Sequence, residues 1–176
     1  MQLSDVYKLP TVLLTVDDDG DVHHESQVDE NTCQSVPIDK LADLVRAALL
    51  SHRVSIVMIT IQSPSGFHNN ALICHGGVVE RFEPHGTCSH DPILYNTHSM
   101  DKCMRKLVHT WSSELVYVTP MTTGICPNNQ RFANASYSAR LVLSYLEIRT
   151  QSYYLRYDSK QACEVWLTQE RGRVTK

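Results

Sequence analysis

Residues 68–86 read His68-Asn69-Asn70-Ala71-Leu72-Ile73-Cys74-His75-Gly76-Gly77-Val78-Val79-Glu80-Arg81-Phe82-Glu83-Pro84-His85-Gly86. Two short runs, His68 to Cys74 and Val78 to Phe82, flank His75-Gly76-Gly77, a joint whose length and glycine content suit a β-hairpin. Pro84 and Gly86 end the second run, because proline has no N–H to give to a ladder. On the N-terminal side, Ser63-Pro64-Ser65-Gly66 is a turn, and Val54 to Ile61 before it is a β-branched run of the kind buried on both sides of a sheet. Before that run, Leu41, Leu44, Val45, Ala48 and Leu49 recur at helical spacing, with Asp39 available as a cap and Pro37 just ahead. Thr11 to Val16 is a further β-rich run. The acidic, polar segment from Asp17 to Pro37 reads as an exposed loop or hairpin.

On the C-terminal side, Met104, Leu107, Val108 and Trp111 mark a helix over 100–111, with Ser99 or Asp101 near its start. Leu115 to Thr119 is a β run, and Pro120 to Asn129 a loop. The next helix, about Ser136 to Ile148, is apolar on most sides, which places it at the centre of the domain. In the tail, Ala162, Val165, Trp166 and Gln169 line one helical face. This order predicts one α+β domain with a small, mostly antiparallel sheet packed with helices.

The chain has 176 residues, enough for one core, and 42 % hydrophobic and 20 % charged residues, which excludes disorder for most of it. Sixteen Lys and Arg against nineteen Asp and Glu give a net charge of −3, so no basic excess exists to hold a nucleic acid by its phosphates. The longest apolar run falls far short of the roughly 20 residues that cross a bilayer as a helix, and no membrane contact is expected. The N-terminus lacks the pattern of a secretory signal, and six cysteines without CxxC pairing suit reduced thiols. Both point to an intracellular protein.

The hairpin carries groups suited to acid–base work. His68 opens one strand and Glu83 closes the other, so adjacent antiparallel strands bring a carboxylate to an imidazole and stabilise its cation. Gln130 leads toward the helix near 136–148, where an amide suits a developing oxyanion. A nucleophile at that helix start would complete an acyl-transfer site, aided by the helix dipole.

With its His-x-Asn opening and its Arg81-Phe82-Glu83-Pro84-His85-Gly86 ending, the block resembles the adenovirus maturation protease (adenain) and related Ulp/SENP-type cysteine peptidases. It is most similar to uncharacterised members from large DNA viruses. The resemblance covers roughly residues 54–149. It implies an adenain/Ulp-like fold around a buried central helix, with His68 as general base, Glu83 as its orienter and Gln130 as oxyanion donor. It further implies cleavage of peptide or isopeptide bonds in a protein substrate, a viral precursor or a ubiquitin-like conjugate, in an infected cell or virion.

The sequence departs from this family at the nucleophile. Relatives carry Gly-Tyr-Cys before the helix, whereas Ser136-Tyr137-Ser138 stands here, eight positions after Gln130 at Ser138. Ser138 is the matching position, with a slip onto Ser136 as the alternative. A thiol is readily lowered into the thiolate by an imidazolium and a helix end; a serine hydroxyl is far more basic. Three explanations stand: a natural pseudoprotease, a Cys-to-Ser variant of an active parent, and an active Ser-His-Glu hydrolase. The family's Trp after the catalytic His is replaced by Asn69, so Asn69 and Asn70 become candidate substrate contacts, or contacts to the base or backbone.

Two other readings compete. Cys88, His90, His98 and Cys103 fall within 16 residues, but their spacing is not that of a zinc finger, and neither metal nor cofactor is assigned. A protease scaffold without its thiol also serves as a protein-binding module that holds an extended peptide beside a sheet edge, with the acidic segment Asp17 to Glu30 as a candidate part of that surface.

Overall fold

The computed structural model describes residues 6–51, 53–64, 66–84, 97–119, 138–151 and 158–174. The hairpin forms where its glycines permit. Gly76 (φ 55°) and Gly77 (φ 81°) both take the left-handed region, and His75 pairs with Val78 across them, as in a two-residue primed turn.

In chain order the elements are β1 (Tyr7–Val16), β2 (Val22–Asp29), β3 (Gln34–Ser35), α1 (Ile38–Leu50), β4 (Ser55–Ser63), β5 (Gly66–His75), β6 (Val78–Phe82), α2 (Thr97–Trp111), β7 (Val116–Val118), α3 (Ser138–Arg149) and α4 (Ser159–Val174). The strands form one seven-stranded sheet in the order β3-β2-β1-β4-β5-β6-β7. Four of its pairings are antiparallel; β1–β4 and β6–β7 are parallel. The fold is therefore mixed α+β with a mostly antiparallel sheet, larger than expected; of the loop and hairpin readings of the acidic segment the hairpin is realised, with β2 returning antiparallel on β1 and β3 on β2. Gly20 (φ 80°) lies in the turn before β2, where Asp17 Oδ1 accepts the N–H groups of Asp19 and Asp21 at 3.0 and 2.9 Å.

Alternation along the strands divides the buried side chains into two cores. Val57, Ile59 and Ile61 of β4 pack with Leu72 of β5 under α1 and α2, through Leu41, Val45, Met100, Met104 and Trp111. Their neighbours Ile56, Ala71 and Ile73 face the other way, onto Leu141, Val142, Tyr145 and Trp166 of α3 and α4. This is why the β4 sequence is apolar at nearly every position. Phe82 stacks on Tyr145 with ring centroids 3.8 Å apart and meets Trp166 edge-on at 5.1 Å.

Several expectations need correction. α3 is not a central helix: Ala139, Leu143 and Glu147, four apart, form an outward stripe, and Leu143 is 61 % exposed. Its apolar character serves one buried face against the sheet. α1 starts at Ile38, so Asp39 lies in the first turn, where its charge suits the helix dipole, instead of capping. In α4, Cys163 takes the buried place expected of Gln169. No helix among the described residues is long and apolar enough to cross a membrane.

Candidate functional site

β5 starts two residues before His68, at Gly66, and then carries three consecutive polar side chains, His68, Asn69 and Asn70, which a strand must send to alternate faces. His68 and Asn70 pair with Ile61 and Ile59 and share the α2 side of the sheet. Asn69 takes the α3 side with Ala71.

The sheet brings His68 and Glu83 together, as expected. His68 Nε2 lies 2.8 Å from Glu83 Oε1, and the two side chains are 1 % and 4 % exposed. A carboxylate oxygen only accepts, so Nε2 carries the proton of this contact. Glu83 lies just past the end of β6 because β5 pairs with β6 only between Ala71 and His75, which leaves His68 and the chain at Glu83 side by side.

The second carboxylate oxygen, Oε2, accepts from Asn70 Nδ2 at 2.9 Å. Asn70 Oδ1 accepts in turn from Arg81 Nη1 at 3.2 Å, and Arg81 Nη2 lies 3.3 Å from Asp101 Oδ1 on α2. Tyr117 Oη of β7 donates to the same Asp101 oxygen at 3.0 Å. Burial, and to a smaller extent the Asp101 carboxylate, push the Tyr117 phenol above its usual range despite nearby Arg81, so it remains a donor.

Ser138 is the first residue of α3 and is fully buried. Its Oγ accepts from the Asn69 backbone N–H at 3.2 Å and from Asn69 Nδ2 at 3.4 Å. Thr60 Oγ1 donates to Asn69 Oδ1 at 3.2 Å, which holds the amide with its NH2 toward Ser138. The hydroxyl thus occupies the ladder position that β6 leaves open, one residue from His68. Among the described residues no hydrogen bond joins Ser138 directly to the His68 ring. Gln130, Ser136, His85 and Gly86 lie outside the described residues.

Asn70 is 0 % exposed and hydrogen-bonded to Glu83 and Arg81, so it is not on an open surface where a substrate would be met. Asn69 meets Ser138 through both its backbone N–H and its side-chain amide. Asp101 faces the sheet instead of capping α2, while Ser99 Oγ accepts the Val22 N–H at 2.8 Å. Arg81 carries a signal legible in the sequence, a cation inside a short apolar strand, which needs a buried counter-charge, and Asp101 supplies it.

The α3 side holds a second polar cluster. Arg149 Nη2 donates to Glu80 Oε2 at 2.9 Å, and Tyr145 Oη donates to Glu80 Oε1. Arg149 Nη2 also lies 3.3 Å from His75 Nε2. This cluster ties the C-terminal half of α3 to β6.

Among the described residues Cys33, Cys74, Cys103 and Cys163 are free thiols; burial pushes Cys74 and Cys163 up to about 12, which makes both inert. Of the candidate zinc residues, Cys88 and His90 lie outside the described residues, and no group of three metal-ligating side chains occurs within them. No family model, curated protein or solved structure matches this chain.

Proposed function

We propose that this chain is an adenain/Ulp-like cysteine-peptidase scaffold whose thiol-bearing form cleaves peptide or isopeptide bonds in a protein substrate, a viral precursor or a ubiquitin-like conjugate. One observation carries the reading: the buried His68–Glu83 pair lies one residue from the backbone N–H that holds the Ser138 hydroxyl at a helix start. With a cysteine at position 138, His68 takes the thiol proton, the helix dipole and the Asn69 donors favour the resulting thiolate, and the sulfur attacks the scissile carbonyl carbon. The carbonyl oxygen becomes an oxyanion, assigned to Gln130 and the backbone near residue 138. The His68 imidazolium returns its proton to the departing amine, leaving a thioester. Water then gives its proton to His68 and releases the acid.

With Ser138 the chain turns over little or nothing, because a hydroxyl is not ionised by a site arranged for a thiolate. The full burial of the Ser138 side chain favours a second reading, a non-catalytic module that binds a protein partner on the same scaffold.

The test is Ser138→Cys treated with electrophilic ubiquitin-like tail probes and viral precursor peptides. Labelling of the introduced thiol that disappears on adding His68→Ala supports the peptidase. Absence of labelling with binding of a protein partner intact selects the module.

A further inference from the structure

The two asparagines that follow His68 point to opposite faces of the sheet, and each has its amide orientation set by another side chain. An asparagine amide is nearly symmetrical in shape, so which end faces a partner is decided by hydrogen bonds alone. For Asn70 both ends are set. The Arg81 guanidinium only donates and takes Oδ1, and the Glu83 carboxylate only accepts and takes Nδ2. Without Arg81 the amide is held at its Nδ2 end alone and no longer fixes where the carboxylate sits.

Arg81 is itself 1 % exposed, and its charge is compensated by Asp101, which Tyr117 also holds. A continuous chain of contacts therefore runs from β7 and α2 through the sheet: Tyr117 to Asp101, Asp101 to Arg81, Arg81 to Asn70, Asn70 to Glu83, and Glu83 to His68. Burying this many polar groups carries a desolvation cost that an apolar packing of the same space would avoid. Its terminus is the imidazole to which the acyl-transfer mechanism assigns the proton.

We infer that Asn70, Arg81 and Asp101 are positioning residues, which fix the rotation of the Glu83 carboxylate and through it the ring plane and tautomer of His68. The inference rests on the peptidase reading for its purpose. It is tested independently of that reading, in the chain as it stands.

The measurement is the proton spectrum in water, where an imidazole N–H held by a buried carboxylate resonates far downfield. The unaltered protein is expected to show this signal and His68→Ala to lack it. Arg81→Met is expected to lose it, and Arg81→Lys, which keeps a donor beside Asn70, to retain it. If Arg81→Met does not fold, Asn70→Ala removes the donor to Glu83 while leaving the Arg81–Asp101 pair, and the same loss is expected. A purely structural role predicts a lower melting temperature with the signal unchanged; that result, or no signal in the unaltered protein, overturns the inference. Loss of the signal in Arg81→Met with no labelling of Ser138→Cys leaves the positioning chain standing and removes the peptidase reading. Labelling with an unresponsive signal does the reverse.

Discussion

His75, at the end of β5, shows how one residue carries a pH dependence into the fold. It is half-buried, and burial, reinforced by the Arg149 guanidinium 3.3 Å away, lowers its pKa below the ordinary histidine value; Glu80 opposes this only in part. The unfolded chain, with an ordinary histidine near pH 6.5, therefore takes up the proton before the folded chain does. The stability from neutral His75 is present above about pH 6.5 and is lost as pH falls through that value toward the lowered folded one. Urea midpoints measured between pH 7.5 and 5 are expected to drop more steeply for the unaltered protein than for His75→Gln. Equal slopes would show that the histidine does not couple to folding. Glu30, whose carboxyl is held low chiefly by its hydrogen bonds from Lys8 and Thr11, acts in a lower window, where stability fades below its ordinary value of 4.5. It does not confuse the comparison.

β6 is the element on which both halves of the site depend. Glu80 and Phe82 face α3, where they hold Arg149 and Tyr145; Arg81, and Glu83 just beyond the strand, face α2 and hold Asn70 and His68. Its register is set by the Gly76-Gly77 turn, and a slip of one residue would exchange these two sets. A side chain added at either glycine meets nothing within 4 Å, so substitution there acts through the backbone alone. Gly77→Ala places a Cβ on a left-handed residue and is expected to cost about 1–2 kcal/mol. Gly76→Asn, which suits the first central position of such a turn, is expected to change stability by less than about 0.5 kcal/mol. Urea denaturation of the pair checks both, and equal losses would mean that the turn is not of this type.

The described residues form two cores on opposite faces of one sheet, each with a single tryptophan: Trp111 on the α1–α2 side and Trp166 on the α3–α4 side. β4 and β5 contribute to both, so neither core can lose its strands without the other losing its own. Tryptophan fluorescence and far-UV ellipticity are therefore expected to follow superimposable urea curves; an early fluorescence phase would show the smaller α3–α4 layer melting separately. The sequence by itself determined the hairpin, the helical faces of α1 and α2, the double-sided burial of β4 and the meeting of His68 with Glu83. These depend on spacing along the chain and on contacts between adjacent strands, which periodicity and turn residues express directly. Only the tertiary structure decided that β1 and β2 join the same sheet as the hairpin, that α3 lies on one face of it, that Asn70 bridges Glu83 and Arg81, and that Ser138 lies against Asn69. Each of these turns on which elements become neighbours and which side of the sheet a helix covers. Those are consequences of burying two apolar faces at once, and no local pattern encodes them.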